Sequence, residues 1–126
     1  MPIPYKVVRR IEPGVAGGGK RTYHASPNYR GTIHITDLAK EISMMSSLSR
    51  PDVLAVLEAL VVIAPNHLGN GYILSLGNLG TLRVVTNSKG SDTSGEVSSS
   101  NIYKKRIRYY PSHELRNELK NFKMGD

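Results

Sequence analysis

The sequence predicts an α+β fold, and three observations predict it. Residues 36 to 64 carry apolar side chains at helical spacing in two successive runs. Residues 69 to 86 are punctuated by Gly69, Gly71, Gly77 and Gly80 and are otherwise rich in Leu, Ile, Val and Thr, the pattern of a turn followed by a hairpin. A second β-branched and aromatic run, Ile102 to Tyr110, follows a fifteen-residue polar stretch, Asn87 to Asn101, in which eleven residues are Ser, Gly, Thr or Asn.

The elements are expected in this order. Tyr5 to Ile11 is a strand, with Val7, Val8 and Ile11 supplying β-branched bulk. Glu12 to Gly19 holds Pro13 and four glycines and is a flexible loop. Lys20 to Ala25 returns as the second strand of a hairpin, and Thr32 to Ile35 is a short extended piece. Thr36 is placed to cap a first helix, with Asp37 in its first turn and Leu38, Ile42 and Met45 on one face. The Ser46 to Ser49 stretch breaks that helix. Ser49 then caps a second one, with Asp52 reaching back as in a capping box. Val53, Val56, Leu57, Leu60, Val61 and Ala64 make an apolar stripe wider than the first helix can cover, so a further partner is implied. Pro65 is expected to kink or end the helix.

Gly71 turns the chain, and Tyr72 to Leu76 and Thr81 to Thr86 pair as antiparallel strands around Gly77 and Gly80. Asn87 to Asn101 has nothing to build a core with and is an excursion between strands. Pro111 and Ser112 open a last helix that shares Leu115 and Leu119 on one face, with Phe122 next. The predicted organisation is a β extension over residues 1–35 and a larger region over 36–126, with an arm at about 86–102.

Composition narrows the function. The 126 residues suffice for one modest core, and they carry 17 Lys and Arg against 10 Asp and Glu, a net +7. Such a chain is drawn to polyanions, although a merely soluble basic domain has the same balance. The charge is uneven: +5 over residues 1–35, −1 over 36–86 and +3 over 87–126. There is no cysteine, which excludes thiolate chemistry and fits a reducing compartment. The N-terminus lacks a long apolar run, so no signal peptide is expected, and the run from Leu60 to Pro65 is too short to span a bilayer.

Catalytic motifs are weak. Gly14 to Lys20 matches G-x-x-x-x-G-K, but Arg21 stands where a magnesium-binding Ser or Thr is needed, and strand-like residues follow where a helix is needed. His24, His34, His67 and His113 lack metal-site spacing, and no nucleophile elbow or acid–base pair appears. No enzyme activity, cofactor, metal or small-molecule substrate is expected.

The strongest chemical signal is Ile102 to Tyr110. Alternation places Lys104, Arg106 and Arg108 on one face and Tyr103, Lys105, Ile107 and Tyr109 on the other. Cations two residues apart repeat every ~7 Å, within reach of successive backbone phosphates. The plain alternative is a solvated strand whose charges guard against edge pairing. Arg83 on the neighbouring strand extends the row. Lys6, Arg9, Arg10, Lys20 and Arg21 offer a second patch, for which a solvated surface is an equal reading.

Leu68-Gly69-Asn70-Gly71, Leu76-Gly77-Asn78-Leu79-Gly80-Thr81-Leu82 and Tyr109-Tyr110-Pro111-Ser112-His113-Glu114-Leu115 resemble, in that order, three segments of the bacterial histone-like proteins of the HU and IHF type. The likeness covers about residues 36 to 122, and residues 1–35 resemble the N-terminal β extension of a longer HU-like branch. It implies a helical hairpin, an antiparallel sheet with a protruding arm and a C-terminal helix. It also implies an intertwined homodimer in the bacterial cytoplasm that binds double-stranded DNA at the nucleoid, with weak sequence preference and no membrane association. Arg83, Lys89, Lys104, Lys105, Arg106 and Arg108 are the residues expected to meet DNA. One departure stands out. The arm segment has no proline, and Lys89 against Asp92 and Glu96 makes it net −1. That departure and the extra hairpin leave an alternative, a protein-interaction module that kept the fold and lost strong DNA binding.

Overall fold

The computed structural model describes residues 2–11, 14 and 19–125. In chain order its elements are β1 (Ile3–Ile11), β2 (Arg21–Pro27), α1 (Ile35–Met45), α2 (Arg50–Gly69), β3 (Leu74–Ser75), β4 (Gly80–Ser88), β5 (Ile102–Pro111), α3 (His113–Leu119) and β6 (Met124–Gly125). Contacts divide the chain into two compact units, Met1–Ile33 with Asn117–Asp126, and His34–Arg116. The fold is α+β, as expected.

In the smaller unit β1 and β2 pair antiparallel from Tyr5 opposite Pro27 to Ile11 opposite Arg21. β6 adds in parallel beside Ile3 and Pro4, fastened by the Ile3 N–H donating to the Lys123 carbonyl at 2.6 Å. The two-residue β6 was too short to leave an alternation signal. Its pairing draws the C-terminal residues into this unit. Most of the predicted loop from Glu12 to Gly19, and with it most of the phosphate-loop-like match, lies outside the described residues.

The larger unit is a helical hairpin, α1 against α2, and a three-stranded antiparallel sheet in the order β3-β4-β5. α1 starts two residues earlier than the sequence suggested. Asp37 accepts a hydrogen bond from the His34 N–H at 3.0 Å, so Ile35 and Thr36 already lie in the first turn, and Thr32 to Ile35 forms no strand. Ser49 caps α2 by accepting from the Asp52 N–H at 3.3 Å. α2 continues through Pro65 to Gly69, since a missing N–H removes one intrahelical bond without ending a helix held on both sides. It ends where the N–H groups of Asn70 and Tyr72 donate to the His67 carbonyl and Gly71 takes φ +89°. Capping uses the backbone of residues 70–72, which is why β3 shrinks from the predicted Tyr72–Leu76 to Leu74–Ser75.

By length and composition alone α2 is long and apolar enough to cross a membrane, beyond what its short uninterrupted run suggested. It also carries Arg50, Asp52, Glu58 and His67. Among the described residues only Ala39, Val53 and Leu68 are buried apolar side chains. Val56, Leu60 and Ile63 on α2, and Leu38 and Ile42 on α1, remain exposed.

Candidate nucleic-acid interface

A short 3₁₀ turn, Gly77–Leu79, joins β3 to β4. Gly80 is buried with φ +135°, and a side chain there would meet the Tyr110 carbonyl oxygen, the Tyr109 ring at 2.8 Å and Pro111 Cα at 3.1 Å. The reversal is tied to the far end of β5 by two hydroxyls: Tyr109 donates to the Leu79 carbonyl and Ser112 to the Asn78 carbonyl. Ser112 also accepts from the Leu115 N–H at 3.0 Å, capping α3. These ties set the register of β4 on β5.

That register decides which side chains share a face. Arg83 lies opposite Arg108, Val85 opposite Arg106 and Asn87 opposite Lys104. Strand alternation therefore gathers Arg83, Lys104, Arg106, Arg108 and Tyr110 on one side of the sheet. Leu82, Val84, Ile107 and Tyr109 occupy the other side, with Lys105 opposite Thr86. Val84, Ile107 and Tyr109 are exposed there. Neither strand contains an Asp or Glu. Of the six residues expected to meet DNA, the structure thus brings four together. Lys105 faces the other way, and Lys89 sits past the end of β4.

Two like charges directly across a strand pair repel. Here a ring sits beside both. The Arg83 guanidinium carbon lies 4.6 Å from the Tyr110 centroid and that of Arg108 lies 5.3 Å from it. The negative face of the phenol offsets part of the repulsion and holds the two forks near each other. Paired guanidinium groups match the oxygens of a phosphate in geometry and charge. Arg83 Nε and Asn87 Oδ1, both on this face, are buried without a hydrogen-bond partner among the described residues. Alternation could have found Tyr110, which shares the parity of Arg108; it was passed over because it carries no charge.

The excursion after β4 is not featureless. It holds 3₁₀ turns at Ser94–Glu96 and Ser99–Asn101. Asn101 closes its base: its carbonyl accepts from the Lys89 N–H at 2.8 Å, and its Nδ2 donates to the Lys89 carbonyl at 3.0 Å and the Ser91 hydroxyl at 2.8 Å. Short polar side chains bond locally to backbone and so favour turns over a long ladder. Tyr103 forms the bulge that ends regular pairing, since Asn87 faces Lys104 while Ser88 faces Ile102.

Comparison with known proteins adds two findings. Residues 1–125 match a family model described as an HU domain fused to wHTH, Ig, or glycine-rich motif. The fold matches the crystal structure of a protein from Bacteroides vulgatus ATCC 8482 called a "Putative bacterial DNA binding protein", with a TM-score of 0.62 at 10% identity. That match covers 97% of this chain and 47% of the other, so the chain spans about half the length of the neighbour. No curated protein matches it in sequence.

Proposed function

The chain belongs to the HU-HIG family, and on that premise we propose that it is a non-enzymatic, nucleoid-associated protein that binds duplex DNA as a homodimer. The grip is on the sugar–phosphate backbone, and sequence preference is weak. The observation that carries this reading is the single basic face of the sheet, with Arg83, Lys104, Arg106 and Arg108 on two strands that hold no carboxylate. The cations on β5 repeat at a spacing of ~7 Å, so one rail of phosphates meets several of them.

The exposed apolar faces support the dimer. α2 leaves Val56, Leu60 and Ile63 uncovered, and the sheet leaves Val84 and Ile107 uncovered. A second copy laid against them buries what one chain cannot. The long apolar helix then belongs to a protein interface, at the nucleoid in the cytoplasm.

Changing Lys104, Arg106 and Arg108 together to Ala tests the assignment. The slope of log K against log salt falls by about one unit per lost contact. An unaltered slope rejects it. The second reading, a protein-interaction module, is favoured by one observation, the net −1 excursion without proline. A gel shift with random-sequence duplex separates the two: no shift at micromolar protein supports the module.

A further inference from the structure

The smaller unit carries most of the charge. It holds eight Lys or Arg against three Asp or Glu, a net +5, while the larger unit holds nine against seven, a net +2. In the smaller unit the cations concentrate on β1 and β2, which contain no Asp or Glu.

The β1–β2 register sorts them. Lys6 and Arg10 lie on one face with Val8, Thr22, His24 and Ser26, while Arg9 and Arg21 lie on the other with Val7, Ile11 and Tyr23. Arg9 is directly opposite Tyr23, and Arg21 is two residues along from it on the same strand. All four cations are exposed. On the second face Tyr23 is 70% exposed, Val7 67% and Ile11 56%. β6 pairs only with Ile3 and Pro4, so from Tyr5 to Ile11 the sheet is two strands wide. A two-stranded ribbon exposing apolar side chains is marginal by itself and gains from being covered.

We propose that this ribbon is a second nucleic-acid site, which lodges in the major groove of duplex DNA with Lys6 and Arg10 reaching one phosphate rail and Arg9 and Arg21 the other. The proposal rests on the DNA-binding reading above and adds a surface to it. The width fits: the ~12 Å major groove admits a two-stranded ribbon with its side chains. The charge distribution decides the kind of partner. A lipid surface is flat and receives one face of a ribbon, leaving the other pair of cations unused. A groove has two walls of like charge and receives both. Tyr23, with Arg9 across the strand pair, supplies an aromatic body beside a guanidinium, a combination common in interfaces.

The test uses the full chain in three forms: parent, Lys6→Ala with Arg10→Ala, and Arg9→Ala with Arg21→Ala. These side chains are exposed, and equal melting temperatures check that folding is intact. Affinity for a random-sequence 30-base-pair duplex is measured from 50 to 200 mM salt. Each lost phosphate contact reduces the ratio of Kd across this range by about 3.5-fold, so each pair of substitutions reduces it about tenfold for every protomer whose ribbon is bound. That result for both pairs is the expected one. If only one pair lowers the ratio, the groove placement is overturned. If neither does while the Lys104, Arg106 and Arg108 variant still lowers it, the ribbon site fails and the sheet site stands. If no variant changes it, both fail. Vesicles of phosphatidylcholine with 30% phosphatidylglycerol are the second probe. Loss of vesicle binding with DNA binding unchanged overturns the proposal in favour of a lipid surface.

Discussion

Replacing Tyr110 separates the number of charges on the sheet from their arrangement. The ring lies 4.6 Å from one guanidinium and 5.3 Å from the other. Both are inside the ~6 Å range of cation–π attraction, where each contact contributes about 0.5–1 kcal/mol at an exposed site and about 2 when desolvated. Arg83 is half-buried and Arg108 exposed, which puts the sum at about 1–2 kcal/mol. Tyr110→Leu keeps an apolar side chain and removes the π face. The two forks, directly across the strand pair, then repel and spread over more rotamers. Affinity for duplex DNA should fall several-fold, with about thirty-fold as the limit reached if the whole of that sum acts by holding the forks in place for binding. The slope of log K against log salt should stay that of the parent, because no charge is lost. Tyr110→Phe keeps the face and should bind within twofold of the parent. Fluorescence anisotropy with a labelled random duplex at four salt concentrations measures both quantities. If Tyr110→Leu binds like the parent, or Tyr110→Phe falls as far, the ring does not position the arginines and the reasoning is wrong.

Two further substitutions probe the reversal that sets the register. Gly80→Ala forces a Cβ against the Tyr110 carbonyl and into a backbone at φ +135°, so urea melts should show a loss of about 3 kcal/mol or more, whereas Gly90→Ala, with nothing within 4 Å, should stay within about 0.5 kcal/mol. Ser112→Ala removes both the cap on the Leu115 N–H and the donor to the Asn78 carbonyl, and the same melts should show a loss of about 1–2 kcal/mol.

Much of this was legible from the sequence where the signal is local and periodic. Ser49, Pro51 and the stripe from Val53 onward marked α2, and alternation along Ile102 to Tyr110 named the face that carries Lys104, Arg106 and Arg108. Arg83 was placed beside them, and the register confirms that it shares their side. What was not legible depends on partners distant in sequence. The His34 start of α1 required a three-residue side-chain return that Thr36 concealed. β6 is two residues long and exists because β1 offers an edge. Tyr110 matters through two arginines, one of them 27 positions away, and no window around residue 110 contains Arg83. Lys105, by contrast, lies on the opposite side, where alternation along the strand had placed it.

The two faces of the β4–β5 sheet make opposite demands. Leu82, Val84, Ile107 and Tyr109 ask to be covered, while Arg83, Lys104, Arg106 and Arg108 ask for an anion. In the proposed dimer a second copy would cover the apolar side and leave the basic side outward, which would link dimerisation to DNA binding through the same strands. The link is testable without touching a charge. Val56 and Leu60 lie one turn apart on α2 and are 61% and 41% exposed. Val56→Gln with Leu60→Gln makes that stripe polar and leaves every cation in place. Sedimentation should show the parent as a dimer and the variant as a monomer at micromolar concentration. The salt slope for duplex DNA should then fall to about half, since each bound particle presents one basic face instead of two. A parent that sediments as a monomer refutes the dimer. A monomeric variant that keeps the full slope refutes the coupling, because the phosphate contacts would then come from one protomer alone.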